Sequence, residues 1–398
     1  MTRPPSLRDA LSPYVDRGVV PGAVALVARG ADVEEVALGA MAEGPSAAPM
    51  RRDAIFRIAS MTKPMVATAA MSLVEQGKLS LDEPVDRLLP ELANRRVLRS
   101  IGAPLDDTVP SPRPITVRDL LTFRMGFGIV WGPPDGTPIQ RAEAELLLGA
   151  FGPPSPQRPP APDEWMRRFG SLPLMHAPGE SWAYNTSAEV LGVLVARAAS
   201  KPLGDVLEER VFGPLGMKDT GFFVPASKID RLPVAYFAGD PFHPDTPGSR
   251  VDDPAAGGQW ARPPAFPSAG AGLVSTADDV LAFGRMLLGK GALGRARVLS
   301  PASVDAMTHD HLTDGQKAVS EMKPDGWWDS HGWGYCMAVN TATDDLGRQA
   351  GSYGWDGGLG TSWGNDPARA MTAILLTQRA AFPAMSGIYR DFWKAASA

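Results

Sequence analysis

Ala59-Ser60-Met61-Thr62-Lys63-Pro64-Met65-Val66-Ala67-Thr68-Ala69-Ala70-Met71-Ser72-Leu73-Val74-Glu75-Gln76-Gly77-Lys78-Leu79 reads as a helix with a reactive end. Met65, Val66, Ala69, Ala70, Leu73 and Val74 recur at the spacing of one helical face, and the rest is mostly Ala, Met and Thr, so the helix is expected to be buried on several sides. Gly77 supplies a left-handed stop. Pro64 has no N–H to give, which places it near the helix start, where the first N–H groups have no intrahelical partner. Ser60 therefore stands at the N-terminus, with Lys63 one turn later on the same face.

That placement has chemical meaning. A serine hydroxyl is a weak nucleophile until a base removes its proton, and a lysine in a dry pocket can serve as that base. The free N–H groups and the positive end of the helix dipole lie where a developing oxyanion could be stabilised. Ser-x-x-Lys is nevertheless short: Ser320-Glu321-Met322-Lys323 repeats it, followed by the turn Pro324-Asp325-Gly326 and with no apolar helix behind it. On the motif alone, a helix-capping Ser60 beside a solvated Lys63 stays open as the bland alternative.

Composition narrows the classes. A chain of 398 residues with 44% hydrophobic content can build a substantial core, as two domains or as one with an insertion. The net charge of −5, with no basic block, argues against a nucleic-acid partner. Cys336 is the single cysteine, which excludes an internal disulfide and a cysteine metal cluster; within Tyr335-Cys336-Met337-Ala338-Val339 it reads as a buried small residue. Neither the N-terminal Met1-Thr2-Arg3-Pro4-Pro5-Ser6-Leu7 nor any later run has the apolar length of a signal core or membrane span, so the expectation is a cytoplasmic protein with no membrane partner.

Leu7 to Arg17 has helical periodicity, and Gly22 to Ala28 and Val33 to Leu38 read as two strands around Arg29-Gly30-Ala31-Asp32. From 88 to 267, proline-rich connections separate short helices, the reading of a mostly helical domain inserted into an α/β domain made of 1–87 and 268–398. Thr116-Val117-Arg118-Asp119 is a capping box with Asp for Glu, and Asp163 to Phe169, Ser187 to Ala199 and Leu203 to Val211 are further helices. After Ser268-Ala269-Gly270-Ala271-Gly272-Leu273-Val274 comes a helix capped by Thr276, running to Leu288. Trp333 to Val339, Gln349 to Tyr353, Thr361 to Gly364 and Ala370 to Thr377 are candidate strands of an antiparallel sheet, closed by a helix from Met385 to Ala395.

Taken with its neighbours, the Ser60 stretch resembles the serine beta-lactamase and penicillin-binding superfamily, in its class C-like branch with the family VIII carboxylesterases. Gly77-Lys78-Leu79-Ser80-Leu81-Asp82-Glu83-Pro84-Val85, Ile115-Thr116-Val117-Arg118-Asp119-Leu120-Leu121-Thr122 and Gly272-Leu273-Val274-Ser275-Thr276-Ala277-Asp278-Asp279 resemble later markers of that branch, and the similarity extends over most of the chain. The resemblance implies an α+β fold: an antiparallel sheet flanked by N- and C-terminal helices, an inserted mostly helical domain, and an active site between them. It also implies Ser60 as nucleophile.

The family's second element is a tyrosine after a Pro-Gly turn. Pro178-Gly179-Glu180-Ser181-Trp182-Ala183-Tyr184-Asn185-Thr186 matches it, with Thr186 where the family has asparagine, so Tyr184 would share proton transfer with Lys63. The third element is a cation-bearing strand that lines the site. Here it matches Trp355-Asp356-Gly357-Gly358, with tryptophan in place of the cation, and by resemblance the Gly358 N–H completes the oxyanion hole with that of Ser60. Losing the cation removes a charge-assisted contact to a substrate carboxylate worth roughly 1.5–3 kcal/mol. Trp355 instead offers a flat apolar wall for an uncharged group, which favours esters over beta-lactams, as similar replacements in esterases of this branch imply. Trp355, Asp356, Gly357 and Thr186 are the expected substrate-binding residues.

Other motifs read as structural. Gly360-Thr361-Ser362-Trp363-Gly364 fits Gly-x-Ser-x-Gly, but Asn365-Asp366-Pro367 turns into another strand instead of the helix such an elbow needs. His309-Asp310-His311 has no further ligands nearby and reads as a solvated loop. Among ten tryptophans, some of Trp131, Trp327, Trp328 and Trp333 are expected to line an acyl pocket. The expectation is a serine hydrolase with no metal and no cofactor, acting on a small-molecule ester or amide. A beta-lactamase, a D-amino-acid peptidase, an acyltransferase and a non-catalytic peptide- or acyl-binding scaffold are the alternatives, and the sequence leaves a homo-oligomer open.

Overall fold

Parity along one strand sets the architecture of the computed structural model, which describes residues 6–130, 136–149, 152, 154–240, 242–320, 326–380 and 385–398. Strand β1 (Gly22–Arg29) is buried along almost its whole length because both its faces are covered. Val24, Leu26 and Ala28 enter one core, whereas Ala23, Ala25 and Val27 enter another. With β2 (Asp32–Gly39), β3 (His331–Trp333), β4 (Ala338–Asn340), β5 (Tyr353–Gly357), β6 (Thr361–Asp366) and β7 (Met371–Thr377) it forms a seven-stranded sheet ordered β3-β4-β5-β6-β7-β1-β2. Every pairing in it is antiparallel.

Helices α1 (Leu7–Asp16) and α8 (Gly387–Ser397) cover one face, with Leu7, Leu11, Ile388 and Phe392 against Ala25, Ala373 and Leu375. The other face receives α2 (Thr62–Glu75), α3 (Val117–Leu121), α4 (Pro138–Glu145), α5 (Pro162–Gly170), α6 (Thr186–Ala199) and α7 (Ala277–Leu288), which share the larger core. Every residue of α2 from Thr62 to Leu73 is buried, and Gly77 at φ 68° ends that helix in the left-handed region. Thr116 and Asp119 cap each other at the start of α3 as the sequence predicts.

Two strand assignments differ from the sequence reading. Trp333 to Val339 is the hairpin between β3 and β4: Cys336 turns at φ 59°, buried, with its N–H on the Leu121 carbonyl at 2.8 Å. The strand expected over Gln349 to Tyr353 starts only at Tyr353, so the Trp355-Asp356-Gly357 motif lies within it. The region 88–267 also carries β ladders, Arg96–Leu98 with Thr108–Pro110 and Ala235–Ala238 with Ser249–Asp253; Ala235–Ala238 also pairs in parallel with Arg379–Ala380. Among the described residues, no helix is long and apolar enough to cross a membrane.

Candidate active site

Ser60 sits in a single 3-10 turn, Ala59–Met61, that leads into α2. The turn is pinned to the glycine-rich stretch 268–274: Thr62 Oγ1 donates to the Ala59 carbonyl at 2.6 Å and accepts the Leu273 N–H at 3.1 Å. Ala59 itself adopts φ 44°, a left-handed conformation that costs a non-glycine residue on the order of 1–2 kcal/mol. Lys63 follows one turn later and is fully buried. Its Nζ donates to Ser60 Oγ at 2.9 Å and to the Gly270 carbonyl at 2.6 Å, and no carboxylate makes a salt bridge with it among the described residues.

Tyr184 enters from the turn before α6. Its carbonyl accepts the Ile129 N–H at 2.9 Å, and Asn185, at φ 82°, lets the chain reverse into the helix. The Tyr184 ring lies 4.7 Å from Lys63 Nζ, so the lysine meets the aromatic face. The Tyr184 hydroxyl oxygen accepts the Trp355 indole N–H at 2.7 Å, which leaves its own hydrogen free to be given. Phe123, Trp182, Trp333 and Trp355 surround the tyrosine, with ring centroids 5.6 to 6.3 Å from it. Trp327 stands edge-on to Trp355, and Trp328 edge-on to Trp182.

Ser60, Lys63, Tyr184 and Trp355 are thus brought together by the fold from three separate stretches. Gly357 reaches the same place: a Cβ there would fall 2.3 Å from the Ile58 carbonyl oxygen and 2.1 Å from Thr361 Oγ1, so only glycine lets β5 close on the chain leading to Ser60. Gly358 is exposed, and a Cβ on it would meet nothing. Asp356 is not part of the cluster. Strand alternation sends its side chain to the opposite face, where it accepts the Ser362 hydroxyl, which in turn accepts the Trp393 indole N–H at 3.0 Å. Burial pushes the Asp356 carboxyl up. Its expected contact with substrate is therefore corrected to a structural one beneath the sheet. Thr186 is buried as the first residue of α6; the side chains that reach Gly270 are those of Asn185 and Glu189.

The decoys resolve by packing. Ser362 lies inside β6 and is fully buried. The 309–311 stretch is a loop with His309 exposed, as expected, but its other two side chains are engaged: Asp310 Oδ1 accepts the N–H groups of Leu312 and Trp333 at 3.0 Å, and His311 stacks on Tyr335 with centroids 4.5 Å apart. No group of three candidate metal ligands occurs among the described residues. Lys323 of the other Ser-x-x-Lys copy and Trp131 lie outside the described residues. Gly270 and Glu189 stand at the cluster although sequence reasoning gives neither a role. Gly270 belongs to the glycine-rich stretch from Ser268 to Val274, whereas Glu189 has the sequence signature of an ordinary first-turn acid of α6.

The sequence model of the Beta-lactamase family matches residues 7–393. This chain belongs to that family. Protein Rv1367c of Mycobacterium tuberculosis is 38% identical to it over 370 residues, covering 91% of this chain and 87% of that protein. Esterase EstB of Burkholderia gladioli is 34% identical over 380 residues, covering 92% and 88%. Among solved structures, EstCE1, described as a hydrolase with promiscuous acyltransferase activity, superposes with a TM-score of 0.78 at 26% identity, covering 98% of this chain and 97% of that one.

Proposed function

We propose that the protein is a cofactor-free serine hydrolase of carboxylic esters with Ser60 as its nucleophile. The observation that carries the reading is the buried Lys63 amine, 2.9 Å from the Ser60 hydroxyl and with a carbonyl as its other partner. A lysine so placed, once neutral, takes the Ser60 proton as Oγ attacks the ester carbonyl. The Ser60 and Gly358 N–H groups receive the oxyanion. As the tetrahedral intermediate collapses, the Tyr184 hydroxyl gives its proton to the departing alkoxide and recovers one from Lys63. Water then repeats the cycle on the acyl-enzyme, releasing the acid and restoring Ser60. The kinship to EstB supports the ester as substrate, and Trp355 in place of a cation argues against a carboxylate-bearing lactam.

Trp327, Trp328 and Trp355 would form the wall against which the acyl or alcohol part rests. In this reading 88–267 is the helical insertion that brings Tyr184, while 1–87 and 268–398 bring Ser60, Lys63 and Gly358. Transfer of the acyl group to an alcohol in place of water is the second reading, favoured by the likeness to EstCE1 and by an aromatic wall that an acceptor could share with the substrate. Release of p-nitrophenol from p-nitrophenyl butyrate, compared with nitrocefin turnover and repeated with added alcohols, tests both. Faster ester than nitrocefin turnover is expected; the reverse order would assign a lactamase. Transesterified product outweighing free acid would assign a transferase.

A further inference from the structure

Glu189, one turn into α6, is buried and has no part in the steps above. Its Oε1 accepts the Ser268 hydroxyl at 2.6 Å, and the backbone N–H groups of Ala269 and Gly270 also face it. Oε2 has no hydrogen-bond partner among the described residues. The Gly270 carbonyl, on the far side of the same peptide segment, accepts the Lys63 Nζ at 2.6 Å. A carboxylate therefore holds the turn from one side and an amine from the other. The fit is tight: a Cβ on Gly270 would lie 2.5 Å from Glu189 Oε1 and 3.0 Å from Asn185 Oδ1.

We propose that Glu189 is a positioning residue for Lys63, which fixes the Gly270 carbonyl against the amine and, through its charge, sets the pH at which Lys63 can take the Ser60 proton. The inference rests on the reading of Lys63 as the base. Among the described residues, the groups that face Lys63 are Ser60 from the turn that leads into its helix, the Tyr184 ring, the Cys336 thiol from the β3–β4 turn and Glu189 from α6. Burial pushes the Cys336 thiol up and keeps it neutral, so Glu189 is the one carboxyl group in the set. Burial pushes the Glu189 carboxyl up on balance, and the smaller opposing pulls of the Ser268 hydroxyl and the Lys63 charge are what favour its ionised form. Opposite charges on the two sides of Gly270 each favour the other, so replacing the carboxylate by a neutral amide is expected to ease proton loss from the amine.

The test is the pH profile of kcat/KM for p-nitrophenyl butyrate in the wild type, E189Q, E189D and K63M, with circular dichroism to confirm folding. In E189Q the acidic limb is expected to move to lower pH by about half a unit or more. E189D keeps the charge but shortens its reach, so its limb stays in place while its plateau falls about fivefold or more. A folded E189Q with an unmoved limb would overturn the inference, whatever its plateau. Should E189Q be recovered unfolded, E189D decides, and a wild-type plateau in it would overturn the inference. K63M activity within about tenfold of wild type would defeat the base reading and this inference together. An inactive K63M beside an unmoved E189Q limb would defeat the inference alone.

Discussion

Two cations are buried within six residues of each other, three before and three after Ser60, and they are held in opposite ways. Arg57 is gripped by Asp253, whose carboxylate accepts both Nε and Nη2, and its Nη1 donates to the Pro233 carbonyl at 2.7 Å. Lys63 has a hydroxyl and a carbonyl for company, and the acid that feels its charge, Glu189, meets the other side of Gly270. A carboxylate bound through two N–H groups leaves a guanidinium nothing to do but hold the fold together, tying the chain before the 3-10 turn to the 253–254 segment. An amine with only neutral contacts can give up its charge, and so can act on the neighbouring serine. Burial alone does not separate a structural charge from a chemical one; the partner does.

Ser60→Ala draws the contrast most sharply. It is expected to lower ester turnover by about 10⁴-fold or more, leaving the thermal midpoint nearly unchanged. Activity within about tenfold of wild type would remove Ser60 from its role. The two cations predict opposite stability changes. Asp253→Ala strands the buried Arg57 charge and is expected to cost about 3–5 kcal/mol in urea unfolding. Lys63→Met, which removes a charge without stranding another in direct contact, is expected to abolish turnover with stability held or raised. A destabilisation by Lys63→Met as large as that of Asp253→Ala would break the comparison.

Glu143 extends it to an acid with no ion pair among the described residues. Burial in α4 pushes its carboxyl up to about 8 from an ordinary 4.5. Because the folded value is the higher one, its penalty is absent below the unfolded value of about 4.5 and accumulates as pH rises through about 8. Glu143→Gln should therefore match the wild type at about pH 4 and exceed it by about 2–4 kcal/mol at about pH 9. Equal denaturation curves at the alkaline end would contradict the burial argument. The smallest effect belongs to Trp355→Phe, which keeps the wall but loses the hydrogen bond to Tyr184. Loss of one such bond is worth about 1 kcal/mol, so kcat should fall about five- to tenfold with KM little changed. A rise in KM alone would make Trp355 a substrate contact only.

Much of this was legible in the chain. Ser60, Pro64, Lys63 and Gly77 place a helix start, a base and a stop by local rules, and the structure keeps the helix start, the stop and the lysine beside the serine. The apolar run of β1 read as a strand, while its burial on both faces became visible only with the helices in place. What escaped depends on parity and on distant partners. Cys336 makes a buried left-handed turn where the sequence shows only an apolar run, which hid the β3–β4 hairpin. With the strand start misplaced toward Gln349, nothing in the motif told Trp355 from Asp356, although alternation sends them to opposite faces. Glu189 was invisible because its partner Ser268 lies 79 residues away in sequence.

The most direct measurement is the intact mass of the protein after brief mixing with p-nitrophenyl butyrate at low temperature, followed by peptide mapping. A transient butyryl adduct is expected on the peptide containing Ser60, cleared by water within the time course of p-nitrophenol release and absent in Ser60→Ala. An adduct on any other residue, or ester turnover that persists in Ser60→Ala, would contradict it.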